Sequence, residues 1–118
     1  MNDLVQTWLD RYLTAWASND PDDIRALFTD DATYAGSPFD SDPAVGIEAI
    51  VAWWLSNRDE ADDWTFEGAP LAYSDGVGIV QGRTDYPEGR VYANLWVITF
   101  SEDGRARSFV EWWMQPKI

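Results

Sequence analysis

Glu111 is the side chain whose surroundings in the sequence most favour proton transfer. It lies within the stretch Phe109 to Trp113, which is otherwise apolar and mostly aromatic. A carboxylate among aromatic rings loses hydration, and this loss raises its pKa towards the range that suits general acid–base catalysis. The alternative is a structural role, either as an exposed edge residue or as the ion-pair partner of Arg83 or Arg107.

Arg83 and Asp85 form a second candidate group, two residues apart on a predicted strand. Side chains at this spacing share one face of a strand, so the guanidinium is able to bridge Asp85 and a second carboxylate. The alternation of the strand leaves another assignment open, because polar side chains usually take the wet face of a sheet. In that case a smaller site remains, consisting of Glu111, Tyr34 and Asn94.

Two residue types that are common in catalytic sites are missing, since the 118 residues include no histidine and no cysteine. This excludes histidine bases, thiol nucleophiles, disulfides, and metal sites built from imidazole or thiolate. Neither a Gly-x-Ser-x-Gly elbow nor a glycine-rich phosphate loop is present. The aspartate clusters fall in predicted loops and helix caps, so we expect no metal and no cofactor. Acid–base chemistry by carboxylates remains.

The sequence is unusually rich in tryptophan, with eight in 118 residues. Such rings bury large areas, and their N–H groups need partners when they are enclosed. One interpretation is a tryptophan-rich core, and the other is a cavity whose wall is made of these rings. On the second interpretation, the ligand-binding candidates are Trp16, Trp54, Asn94 and Trp96.

The charge of the chain limits its partners. Acidic residues number 21 and basic residues 8, which gives a formal net charge of -13. Such a surface repels nucleic acids and anionic membranes. No apolar run approaches the roughly 20 residues that cross a bilayer, and the N-terminal sequence lacks the pattern of a secretory signal. We therefore expect a cytoplasmic protein with a small apolar molecule as ligand or substrate.

The hydrophobic pattern predicts helices in the first half of the chain and strands in the second. A wide apolar stripe predicts a helix over 3–18, and Asp20 and Pro21 are the start signal of a second helix. The buried face of that second helix is predicted to include Phe28. The remaining predicted elements are a brief strand at 33–35, a third helix at 46–58, and strands at 64–73, 77–86, 91–100 and 105–115. Pro70 requires an edge or a bulge.

This order of elements predicts an α+β fold, with helices packed on one face of an antiparallel sheet. The strand at 91–100 is largely apolar on both faces, whereas a strand with one wet face should alternate. One face packs on the helices and the other then needs a cover. A second copy of the chain is the simplest cover, so we expect a homodimer through the outer face of the sheet.

Several short segments, in this order and spacing, resemble the SnoaL-like branch of the nuclear transport factor 2-like superfamily. They are Leu27–Tyr34, the loop Gly36–Phe39, Gly46–Ile50, Asp103–Arg105 and Phe109–Trp113. The resemblance covers essentially the whole chain and implies a single domain over 1–118. It also implies a cone-shaped, curved antiparallel sheet packed on three helices that enclose a pocket. Since relatives of this kind include enzymes and proteins without catalysis, the fold alone does not define an activity.

The resemblance also implies roles for particular residues. The Arg-x-Asp arrangement is similar to that of limonene epoxide hydrolases in the same superfamily, and by position the matching residues are Arg83, Asp85, Glu111 and Tyr34. Two positions depart from that pattern, because the acid of the last strand is glutamate where that family has aspartate, and Gly36 stands where asparagine is expected. The first hypothesis is a cofactor-independent hydrolase, isomerase or cyclase. The alternative is a non-catalytic, ligand-binding dimer.

Overall fold

A computed structural model describes residues 3–116 as a curved six-stranded sheet with three α-helices. The helices are α1 (Asp3–Ser18), α2 (Pro21–Arg25) and α3 (Ile47–Ser56), and a 3₁₀ turn covers Ala61–Asp63. The strands are β1 (Phe28–Ala35), β2 (Ala44–Val45), β3 (Thr65–Ser74), β4 (Val77–Asp85), β5 (Val91–Phe100) and β6 (Ala106–Met114). The predicted α+β order is confirmed. No helix within 3–116 is long and apolar enough to cross a membrane.

The predicted starts of the first two helices are confirmed. The apolar stripe of α1 is buried, and its members include Trp8 and Tyr12. Asp20 caps α2, because its side chain accepts a hydrogen bond from the backbone N–H of Asp22 at 2.9 Å. Pro21 occupies the first turn, where its missing N–H costs nothing.

The sheet order is β2-β1-β6-β5-β4-β3. Strands β3 to β6 form the predicted antiparallel meander, but β1 pairs with β6 in parallel, so the sheet is mixed. Parallel pairing needs a long connection between the two strands. The chain from β1 to β6 supplies one, since it passes through α3 and the whole meander. The antiparallel sheet that the resemblance implied is confirmed for the other four strand pairs, and the β1–β6 pair is the exception.

The first strand is longer than predicted, and the assignment of Phe28 to the face of α2 was wrong. Phe28 begins β1, where it pairs with Ala106 of β6. The backbone carbonyl of Leu27 accepts hydrogen bonds from the Ala106 N–H at 2.8 Å and from the Trp8 ring N–H at 3.0 Å. An apolar residue that is fully buried fits the end of a helix as well as a strand, so hydrophobicity could not separate the two.

Pro70 lies on the edge strand β3, beside a register shift between Pro70 and Ala72. Both parts of the expectation for this residue are therefore confirmed. The neighbouring part of β3 carries Phe66, whose ring stacks on Trp96 with centroids 5.1 Å apart and an interplanar angle of 11°. This ring covers two glycines of adjacent strands, Gly68 and Gly82.

We predict that Gly82→Ala destabilises the fold by about 1–3 kcal/mol, as is typical of overpacked positions. A Cβ at Gly82 would lie 2.3 Å from Cζ of Phe66, so the ring would have to leave its position on Trp96. Gly36→Ala is the matched control, since the nearest atom to its Cβ would be in Trp53 at 3.8 Å. Urea unfolding of both variants measures the difference, and equal free energies of unfolding would contradict the prediction.

Candidate active site

A cavity of about 300 Å³ lies between the inner face of the sheet and helices α1 and α3. Its wall is mostly aromatic, and the rings that line it include Tyr12, Trp16, Tyr34, Trp54, Trp96 and Trp113. Pockets of this size and composition accept small, largely apolar molecules. All four residues predicted to bind a ligand, and both Glu111 and Tyr34, line this cavity.

Glu111 is held by two donors from the neighbouring strand β5. Its Oε2 accepts a hydrogen bond from Nδ2 of Asn94 at 3.0 Å and another from the ring N–H of Trp96 at 2.8 Å. Trp96 lies directly opposite Glu111 in the β5–β6 register. Among the described residues no hydrogen bond reaches Oε1, and this oxygen remains available to a ligand in the cavity.

Burial raises the pKa of Glu111 to about 7, and its two hydrogen bonds offset part of this effect. The cause is the cost of an ionised carboxylate beside aromatic rings and away from water. Hydrogen-bond donors to the carboxylate stabilise its charged form, so the bonds from Asn94 and Trp96 lower the pKa. Near neutral pH the group therefore exchanges a proton readily in either direction, as a general acid or base requires.

Thr84 orients this arrangement, although the sequence did not single it out. Only 2% of its surface is exposed, and its hydroxyl donates to Oδ1 of Asn94 at 2.7 Å. Because an amide carries its acceptor and its donor on opposite sides, this bond directs Nδ2 of Asn94 towards Glu111. The sequence did contain one indication of this role. The alternation of side chains along β4 places Thr84 on the same face as the apolar Val80, so a buried hydroxyl that needs a partner was to be expected there.

The hydroxyls of Tyr12 and Tyr34 lie 3.2 Å apart in the wall of the cavity. Burial raises the pKa of both groups well above the usual range, and the charge of Glu111 adds to the effect. Both tyrosines are therefore neutral near pH 7 and act as hydrogen-bond donors. Tyr12 belongs to the buried apolar stripe of α1, and the periodicity of that stripe carries no sign of this second role.

Arg83 and Asp85 do not converge on Glu111, which corrects the expected two-carboxylate arrangement. They lie on the outer face of the sheet with 61% and 44% of their side chains exposed, and neither lines the cavity. Nε of Arg83 instead contacts Oδ1 of Asp85 at 2.8 Å. Val80 and Thr84 occupy the inner positions of β4, where both side chains are buried beside β5.

Asp59, in the segment after α3, lines the cavity at its opening and accepts several hydrogen bonds there. Its Oδ2 accepts hydrogen bonds from the Trp16 ring N–H at 3.3 Å and from the Tyr86 hydroxyl at 3.1 Å. Its backbone carbonyl accepts a third from the side chain of Asn19, and Asn19 in turn accepts the ring N–H of Trp54. Three distant parts of the chain are thus joined at one rim. Among the described residues no group of three or more acidic side chains is placed to hold a metal ion.

The curved sheet packed on three helices defines a protein of the nuclear transport factor 2-like class. Residues 9–109 match the family model of the SnoaL-like domain. The chain belongs to this SnoaL-like family. No sequence among curated proteins matches it.

Many solved structures share the fold, and three of them illustrate the similarity. An NTF-2-like protein of unknown function from Burkholderia xenovorans LB400 is 17% identical with a TM-score of 0.78, covering 98% of this chain and 87% of the other. An NTF2-like protein of unknown function from Mesorhizobium loti is 12% identical with a TM-score of 0.73, covering 95% and 92%. SalBIII, an epoxide hydrolase/cyclase-like enzyme in pyran ring formation in the polyether salinomycin, is 20% identical with a TM-score of 0.73, covering 92% and 89%.

We predict that Glu111→Gln stabilises the fold at high pH. The raised pKa means that the folded state binds this proton more tightly than the unfolded state, so the wild type loses stability as pH rises from about 4.5 to about 7. Glutamine has no charge to desolvate. The free energy of unfolding of the variant, relative to that of the wild type, should therefore rise by up to about 3 kcal/mol between pH 4 and pH 8.

Urea unfolding at the two pH values measures this gain. Glu102→Gln, in the exposed turn between β5 and β6, is the matched control and should show no such divergence. The prediction is contradicted if the free energy of unfolding of Glu111→Gln differs from that of the wild type by the same amount at both pH values. That result would mean that the carboxylate is well hydrated in the folded state.

Proposed function

We propose that this chain is a cofactor-independent proton-transfer enzyme, an isomerase or cyclase, in which Glu111 is the base. The observation that carries the proposal is a carboxylate that lines an aromatic cavity, with its pKa raised to about 7 and with both of its hydrogen bonds made by Oε2. A base with this pKa is ionised often enough to accept a proton and is strong enough to remove one from an activated carbon. The expected substrate is a small, largely apolar molecule.

The proposed step begins with a substrate that carries a carbonyl group beside an acidic C–H bond. Oε1 of Glu111 takes the proton, the electron pair of the C–H bond forms a carbon–carbon double bond, and the π pair of the C=O bond moves to its oxygen, which gives an enolate. In the Tyr12–Tyr34 pair one hydroxyl donates to the other, and the accepting hydroxyl keeps its own proton for a hydrogen bond to the enolate oxygen. Protonated Glu111 then returns the proton to another carbon, or the enolate carbon attacks a second carbonyl of the same molecule, whose C=O π bond breaks and whose oxygen takes the proton from Glu111.

The geometry supports one-base chemistry over epoxide hydrolysis by two carboxylates. Hydrolysis of that kind needs one group to activate water and a second to protonate the departing oxygen, and Asp85 lies outside the cavity. Asp59 does line the cavity, but its Oδ2 is engaged by Trp16 and Tyr86 at the rim. The similarity in fold to a hydrolase/cyclase-like enzyme supports the cyclase half of the proposal.

We predict that Glu111→Gln abolishes proton transfer. A panel of flat, enolisable ketones such as 2-tetralone is incubated with the protein in D₂O, and mass spectrometry follows the incorporation of deuterium. The variant should lose about 100-fold or more of the catalysed rate, the size typical of a missing general base. The wild-type kcat/KM should rise with pH through about 7, because the ionised carboxylate is the active form.

Asp85→Asn is the matched control and should keep the wild-type rate, since Asp85 lies on the outer face. A Glu111→Gln variant with full activity would refute the assignment of the base. The second candidate function is a non-catalytic binding protein, which the mostly aromatic wall of the cavity favours. Saturable quenching of tryptophan fluorescence by the same ketones, with deuterium incorporation no faster than in buffer, would establish that function instead.

We also propose that two copies associate through the outer face of the sheet, in the cytoplasm and without a nucleic acid or membrane partner. The centre of this face is β5, whose outward side chains are uncharged, from Val91 to Thr99. Beside it on β6, Trp112 and Met114 have 45% and 64% of their surface exposed. An apolar face of this kind on a chain of net charge -13 is typical of an interface between copies.

We predict that Trp112→Asp yields a monomer, because a charge at the centre of such an interface would be buried without a partner. Sedimentation velocity measures the mass of the particle. Phe39→Asp introduces the same charge at a side chain that is 99% exposed on the loop before β2, and it should leave the dimer intact. A wild-type protein that sediments as a monomer at every concentration would overturn the proposal.

A further inference from the structure

Two basic residues lie at the opening of the cavity, beside the carboxylates of Asp59, Glu60 and Glu88. Arg58, in the segment after α3, and Arg90, just before β5, both line the cavity. The chain has only 8 basic residues against 21 acidic ones, so its long-range field repels anions. Each of these arginines is ion-paired with a neighbouring glutamate, so an anion would be bound by their N–H donors at short range and not by long-range attraction.

Arg90 is held in one orientation by its neighbours. Its guanidinium lies 4.3 Å from the centroid of the Tyr86 ring, Nε donates to Glu88, and Nη1 approaches the Tyr92 hydroxyl at 3.5 Å. Half of the side chain remains exposed. A guanidinium fixed in this way loses little freedom when it binds a planar anion, and its fork geometry matches a carboxylate.

Arg58 has donors that its neighbours leave free. Its one ion pair among the described residues joins Nε to Oε2 of Glu60 at 3.6 Å, which is too long for a strong hydrogen bond. Both terminal nitrogens are therefore available at the opening. The acid beside it, Asp59, directs Oδ2 towards the ring N–H of Trp16 and the hydroxyl of Tyr86.

We infer that the natural ligand is a flat, apolar molecule that carries one carboxylate, with its rings against the aromatic wall and the carboxylate between Arg58 and Arg90. The inference rests on the proposed function, since it names the substrate class of the same cavity. The arginines act in recognition, because they lie at the opening while Glu111 lies among the rings of β5. An uncharged analogue would lose these contacts and keep those of the rings.

Calorimetric titration with 2-naphthoate and with 2-naphthamide tests this inference, because the two probes differ in charge and share the same rings. At one pH and ionic strength, the wild type should bind naphthoate about tenfold more tightly than naphthamide. Arg58→Gln and Arg90→Gln should each weaken naphthoate binding about fivefold or more and leave naphthamide binding unchanged.

Arg83→Gln is the matched control, since it removes one positive charge from the outer face. It should change naphthoate binding by less than about twofold, because salt screens charges that are distant and exposed. The inference is overturned if naphthamide binds as tightly as naphthoate, or if Arg83→Gln weakens naphthoate binding as much as Arg90→Gln does. Circular dichroism verifies that each variant is folded, and the two arginine variants test the opening independently.

The titration separates this inference from the proposed function. Charge-dependent binding of naphthoate without deuterium incorporation into any ketone supports the arginine subsite and refutes the enzyme. Deuterium incorporation that depends on Glu111, with equal binding of both naphthalene probes, supports the enzyme and refutes the subsite.

Discussion

The central constraint in this molecule is the placement of one carboxylate beside aromatic rings with two hydrogen bonds to hold it. Removing Glu111 from water disfavours its charged form, while hydrogen bonds from Asn94 and Trp96 replace some of those that water would have made. The result is a group whose pKa lies near 7. The register of three strands serves this placement, because Thr84, Asn94 and Glu111 come from β4, β5 and β6 in turn.

Much of the architecture follows from the sequence, because periodicity and turn chemistry are local. The stripe from Val5 to Ala15 predicts a buried helix, and the turns at Gly76, Gly89 and Gly104 divide the meander into the strands that the structure contains. The parallel pairing of β1 with β6 and the extent of β1 could not be derived in this way. Both depend on contacts between residues more than 70 positions apart, on which local pattern carries no information.

The candidate site was only partly predictable. Glu111, Tyr34 and the four lining residues were found because a polar group in an apolar stretch, or a large ring, is conspicuous in the sequence. The resemblance implied that Arg83 and Asp85 face the cavity, but in the structure both lie on the outer face of the sheet. The alternation of side chains along β4 was the better guide. Thr84 was missed because a single threonine on a strand is unremarkable. Its importance arises from Asn94, ten residues away across a hairpin.

The hydrogen-bonded series from Thr84 to Glu111 lies within fewer than 30 consecutive residues of the meander. Half of the side chains that line the cavity come from outside the meander, among them Trp16 of α1 and Trp54 of α3. The carboxylate and its supports are thus encoded in one stretch of the chain, and half of the wall around them in others. Substitutions in the helices can therefore reshape the wall while the carboxylate and its supports stay intact.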